Sequence, residues 1–173
     1  GEGSQPLIFG GMTAKDDIMH TLEKIIRAAV REGRTALIPF VTAGYPTKEQ
    51  FWDIVRELDE SGADIIEIGV PFSDPVADGP VVEGASVIAL ENGVTLRWIM
   101  EGLLQRRGSF RAGLVLMGYM NPFLQYGLEA LARDAREAGV HGFIVPDLPF
   151  DEADAMRGVL AEHGLALIPL VGP

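Results

Sequence analysis

The stretch Ile65-Ile66-Glu67-Ile68-Gly69-Val70-Pro71-Phe72-Ser73-Asp74-Pro75-Val76-Ala77-Asp78-Gly79-Pro80 begins as an apolar run broken by one carboxylate and ends as a proline-stiffened loop. A short, almost wholly apolar run bounded by turn residues reads as a strand buried on both faces, the kind found in parallel sheets. In the loop, Pro71, Pro75 and Pro80 restrict the backbone, while Gly69 and Gly79 permit close approach. The pair of segments therefore reads as a buried strand feeding a loop that holds a shape.

The same unit recurs on either side. Upstream, Ala36-Leu37-Ile38-Pro39-Phe40-Val41 is a first strand that ends in the turn Thr42-Ala43-Gly44-Tyr45-Pro46. Thr47 then offers a helix N-cap with Gln50 three residues on, and Phe51, Ile54, Val55 and Leu58 supply an apolar stripe that stops near Ser61-Gly62. Downstream, helices are expected over Val81–Glu91 and Leu96–Arg107, and a third strand over Ala112–Met117. A helix from about Leu124 to Ala138 follows, then a fourth strand over Gly142–Val145, a helix from about Asp151 to Glu162, and a fifth strand over Ala166–Val171. Ahead of the first strand, Thr13 to Arg31 carries Ile18, Leu22, Ile25, Ile26 and Ala29 near helical spacing. Gly1 to Gly11 reads as an expression remnant or disordered leader, which leaves 12–173 as the domain.

Apolar strands alternating with helices mean a parallel sheet, and two architectures compete. A doubly wound open sheet usually carries a glycine-rich phosphate turn after its first strand, whereas here that position reads Thr42-Ala43-Gly44-Tyr45-Pro46. In a (β/α)8 barrel the reactive residues sit at the C-terminal ends of the strands, which is where Glu67, Asp78, Asn121 and Asp147 fall. The expected fold is thus an α/β TIM (β/α)8 barrel. Such a barrel normally has eight strands in about 250 residues, so a chain with five is expected to be truncated after the fifth.

Composition narrows the function. The chain has 173 residues and a formal net charge of −11 with no basic run, so it should repel a nucleic-acid backbone. Its apolar residues lie in short runs, which argues against a membrane span, and its lack of cysteine fits an expected cytoplasmic location. The absence of cysteine removes disulfides and thiolate chemistry. His20, His141 and His163 are far apart in the sequence, and surface or packing roles suit them better than metal binding; no metal site is expected.

Glu67 is the unusual residue. Burying a carboxylate between isoleucines is costly, and desolvation raises its pKa, which suits a group that delivers and takes up a proton near neutral pH. Its bland alternative is an edge residue or an arginine partner. For Asp78 the bland alternative is a turn-forming Asp-Gly pair.

The segment Glu67 to Pro80 resembles the signature of tryptophan synthase alpha subunits. Three flanking stretches are similar to the same family: Pro39 to Pro46, Met117-Gly118-Tyr119-Met120-Asn121-Pro122, and Val145-Pro146-Asp147-Leu148-Pro149. The resemblance runs from about Asp16 onward. It implies retro-aldol cleavage of indole-3-glycerol phosphate to indole and glyceraldehyde 3-phosphate, with Glu67 as the acid and base and Asp78 accepting the indole N–H. It also implies that Phe40, Val82, Leu116 and Ile144 line an apolar indole pocket, although each would serve equally as ordinary core. Pro71, Asp74 and Pro149 match positions that meet a beta subunit in an alpha2beta2 assembly, and Asp147, in the same loop as Pro149, is a further candidate or else an ordinary loop cap. Pyridoxal phosphate is expected only in that partner, so no cofactor is expected here.

The resemblance also implies parts that these residues do not include. The family grips its substrate phosphate with loops after strands seven and eight, and closes the site with the loop after strand six. Two expectations follow: a lyase whose remaining strands lie outside this sequence, or a catalytically incompetent fragment that self-associates or docks to a beta subunit.

Overall fold

The computed structural model describes residues 20–74 and 78–170. Helix α1 (Thr21–Arg31) leads into β1 (Phe40–Thr42), α2 (Lys48–Glu60) and β2 (Ile65–Gly69). Then come α3 (Pro80–Glu91), α4 (Leu96–Gln105), β3 (Gly113–Met117), α5 (Met120–Tyr126), α6 (Leu128–Glu137), β4 (Gly142–Ile144), α7 (Phe150–Glu162) and β5 (Ala166–Leu167). The strands form one sheet in the order β1-β2-β3-β4-β5, and every pairing is parallel. Each new strand is added on the same side, with no reversal of order. A doubly wound sheet reverses at a switch point, whereas a barrel wall does not.

Side chains alternate across this wall, and the two faces are covered differently. Ile66, Ile68, Leu114, Leu116, Phe143 and Leu167 point to the helices, where they join Phe51, Val55, Ile99, Leu103, Leu131, Met156 and Leu160 in the larger core. Ile65, Val115, Ile144 and Ala166 face the other way, where Leu22 of α1 packs among them. Gly113 and Gly142, the first residues of β3 and β4, make room for that helix. A Cβ on Gly113 would lie 3.0 Å from Ile25 Cδ1, and one on Gly142 would lie 3.1 Å from Leu22 Cδ1. Helix α1 therefore closes the N-terminal end of the wall.

Local signals set most of the boundaries. Thr47 Oγ1 accepts the Gln50 N–H at 3.1 Å, the expected cap of α2, and Thr95 caps α4 in the same way. The first strand is shorter and later than Ala36–Val41. Pro39 has no N–H to give to a ladder, so residues 37–39 run beside β2 with irregular bonds: Leu37 O accepts from Asp64, and Pro39 O from Glu67. The helix expected from Leu124 to Ala138 is two helices. It breaks at Gly127, which takes φ 92, and its first half begins earlier, at Met120, because Pro122 sits in a first turn where its missing N–H is not required. Of the leading helix, Thr13 to Met19 lies outside the described residues, as do the leader and Val171. Among the described residues no helix is long and apolar enough to cross a membrane.

Ile66 sits at the centre of the larger core with no exposure, whereas Val81 is 86% exposed. Ile66→Ala should cost about 2–5 kcal/mol of stability, and Val81→Ala less than about 0.5 kcal/mol, as read from urea unfolding of the chain.

Candidate active site

Thr42, Gly69 and Met117 are the last residues of β1, β2 and β3, and together they floor a narrow cleft at the C-terminal end of the wall. Asp78 and Val82 enter it from the loop after β2 and from α3, and Pro146 enters from the loop after β4. The buried hydroxyls of Thr42 and Ser86 border the same space, and sequence reasoning did not single them out. Gly69 is required here by contact. A Cβ on it would come within 2.5 Å of Phe40 Cζ, so only glycine lets the Phe40 ring lie across the end of β2.

Glu67 lies opposite Phe40 on one side and Val115 on the other, on the inner face of the wall. It shares that face with Ile65 below it and Gly69 above it, by the two-residue alternation of a strand. The side chain is half-buried, and desolvation raises its carboxyl pKa above the ordinary value. Asp78 is also half-buried, directly before the Gly79 N-cap and Pro80, the first residue of α3. Residues 75–77 of the connecting loop lie outside the described residues.

Of the apolar residues expected around an indole ring, Phe40 and Val82 border the cleft, and Ile144 lies on the inner face. Leu116 does not. It is fully buried on the helix side of the sheet, and the next residue, Met117, faces the cleft in its place. The two residues occupy opposite faces because a one-residue step along a strand reverses the direction of the side chain. The alternation of Gly113, Val115 and Met117 with Leu114 and Leu116 was the available signal, but both sets are apolar.

The loops that rim the cleft are tied to one another. Phe72, from the loop after β2, stacks on Tyr119 from the loop after β3, with ring centroids 5.5 Å apart. Asp147, from the loop after β4, accepts the Met120 N–H at 2.8 Å, so it caps α5, whose own N-cap residue Tyr119 supplies no capping side chain. Pro71 is buried, whereas Asp74, Asp147 and Pro149 are exposed on the outer rim. Beside Pro149 stands Phe150, 91% exposed, a residue that the sequence reading passed over. Its only sequence signal was an aromatic directly after a proline at a helix start. Among the described residues no His, Cys, Asp and Glu side chains gather as a metal-ligand set.

The wall and its one-way strand order define a (β/α)-barrel protein, with Glu67 in the middle of β2 on the inner face and Asp78 at the cleft above it. Comparison with known proteins is consistent across sequence and structure. The model of the tryptophan synthase alpha chain family matches residues 26–173. The alpha chain of Nitratidesulfovibrio vulgaris is 65% identical over 152 residues, which are 88% of this chain and 59% of that one. Tryptophan synthase from M. tuberculosis superposes with a TM-score of 0.83 at 39% identity, covering 88% of this chain and 61% of the solved one. The alpha subunit from Legionella pneumophila gives 0.81 at 37% identity, with 87% and 58% covered. The chain belongs to the tryptophan synthase alpha chain family, and it spans about three-fifths of the length of these relatives.

A carboxyl whose pKa is raised on folding binds more protons folded than unfolded, so it lowers stability as pH rises through the interval between the two values. Glu67→Gln removes that penalty. The variant should be more stable than the parent at pH 7, with the difference shrinking toward pH 4, where the parent carboxyl is protonated in both states. Urea midpoints across pH 4–8 measure this. Asp147→Ala should cost about 1 kcal/mol through loss of the cap, with faster amide exchange in residues 120–126.

Proposed function

We propose that the whole protein to which these residues belong cleaves indole-3-glycerol phosphate to indole and glyceraldehyde 3-phosphate in tryptophan biosynthesis. The Glu67 carboxyl gives its proton to indole C3, and its carboxylate takes the proton of the adjacent side-chain hydroxyl. The bond between C3 and the glycerol chain then breaks, its electrons return to the ring, and the former hydroxyl carbon becomes the aldehyde. Protonation at C3 spreads positive charge to the indole nitrogen, and Asp78, accepting the N–H, stabilises it. The observation that carries this reading is the placement of a desolvated glutamate on the inner face of a parallel wall, beneath a cleft that Asp78 borders.

Phe40, Val82, Met117 and Ile144 enclose the ring. The substrate phosphate is held by loops and a helix N-terminus after strands seven and eight, in the part of the barrel that the relatives carry beyond the matched region. Asp74, Asp147 and Pro149 on the rim, with exposed Phe150 beside them, form the surface that meets a beta subunit in an alpha2beta2 assembly, and Pro71, buried beneath the rim, holds the loop that carries Asp74. Pyridoxal phosphate chemistry belongs to that partner, and the assembly works in the cytoplasm.

The test is indole release from indole-3-glycerol phosphate by a barrel completed with the remaining strands of a relative. Glu67→Gln should lower kcat about 10²–10⁴-fold with KM little changed, and Asp78→Asn should lower it about 10²–10³-fold. Full turnover by the completed barrel carrying Glu67→Gln would reject the role given to Glu67.

A further inference from the structure

Two of the three histidines lie at the N-terminal end of the wall, away from the cleft, and each accepts a hydrogen bond from the backbone. His20 is the N-cap of α1. Its Nδ1 accepts the Leu22 N–H at 3.1 Å, and its Nε2 meets the Gly164 carbonyl at 3.2 Å, in the turn before β5. The partners settle the tautomer. An N–H must donate and a carbonyl must accept, so Nδ1 is bare and Nε2 carries the proton. His141, just before β4, has the same arrangement at Nδ1, which accepts the Leu114 N–H of β3 at 3.1 Å, while its backbone N–H donates to Leu114 O at 2.8 Å. Its imidazole thus supplies one further rung to the β3–β4 ladder below Val115 and Gly142.

We infer that His20 and His141 form a proton-operated latch, which holds α1 across the N-terminal end of the wall while both rings are neutral and releases it when they are protonated. Protonation puts a hydrogen on each Nδ1. At His20 the cap acceptor becomes a donor facing the Leu22 N–H, and a positive charge arrives at the positive end of the α1 dipole. At His141 a donor faces the Leu114 N–H. The rung is lost at the place where Leu22 seats against Gly142.

The surrounding charges favour the neutral rings. Arg136, from α6, reaches over the turn, with its Nη1 2.6 Å from where a Cβ on Gly164 would be, and it opposes protonation of both histidines. The charge of a protonated His20 opposes protonation of His141 too, and burial is the largest effect on each ring. The Gly164 carbonyl and, more weakly, Glu23 of α1 pull His20 the other way, but burial outweighs them and Glu23 is already paired with Arg27 at 2.7 Å. His163, in the same turn, donates to Val159 O and stands 3.9 Å from Glu129 of α6. Both latch histidines titrate below the ordinary imidazole value of about 6.5 in the folded chain. The unfolded or undocked state therefore binds more protons, so docking is fully supported above that value and weakens as pH falls below it.

Amide hydrogen exchange of the 173-residue chain, corrected for intrinsic chemical rates, tests the latch. Residues 21–31 should lose protection about tenfold or more between pH 7.5 and pH 5.5, while residues 96–105 of α4 keep theirs. His20→Asn with His141→Asn preserves an acceptor oxygen at each site but cannot titrate, so it should hold α1 at both pH values. Nitrogen-resolved NMR of the parent's imidazoles supplies a reading that needs no variant, with Nδ1 bare and Nε2 protonated in both at pH 7.5. A pH-independent α1, the same acid opening in the double variant, or an Nδ1–H tautomer in either ring would overturn the latch.

Discussion

Backbone hydrogen bonds join β2 to β3 along their whole length, from Ile65 opposite Gly113 to Gly69 opposite Met117, and that register sets the direction of every side chain on the wall. A parallel sheet must be covered on both faces. Helices α2 to α7 cover one face with the larger core. The other face is filled at its lower end by Leu22 of α1, together with Ile65, Val115, Ile144 and Ala166. Moving the register by one residue would send Glu67 into the helix layer and Ile66 into the site.

Glu67 is where this arrangement works against itself. The same burial that stabilises Ile65 and Val115 disfavours a carboxylate between them, and the result is a group whose proton is held more tightly than that of an exposed glutamate. Stability and proposed chemistry are thus opposed at one residue. Such opposition is common where a fold carries an acid–base site. The glycines nearby serve packing instead: Gly69 admits the Phe40 ring, and Gly113 and Gly142 admit α1.

The rim gains its order from contacts between loops that are distant in sequence. Phe72 on Tyr119 and Asp147 on the Met120 amide bind three successive loops into one frame around the cleft. None of the three loops supplies these partners by itself. The wall holds the base of each loop, and the side chains then meet because consecutive strands of a barrel are neighbours in space.

Much was legible in the chain itself. Apolar runs separated by helical stripes established the parallel α/β class, and the caps at Thr47 and the break signals at glycines placed most elements, because these depend on neighbours within a few residues. Glu67 and Asp78 stood out because a carboxylate in an apolar strand and an aspartate in a proline-rich loop are locally anomalous. The tertiary structure decided what local signals cannot. Leu116 and Met117 are both apolar, and only the register shows which one reaches the cleft. Gly127 divides a continuous helical pattern because its backbone adopts a left-handed turn, and Pro39 delays β1 because the ladder beside it demands an N–H it lacks. His141 looked like a packing residue until the strand beside it offered Leu114 N–H to its ring. Each of these outcomes depends on a partner far away in sequence, and composition and periodicity carry no record of such partners.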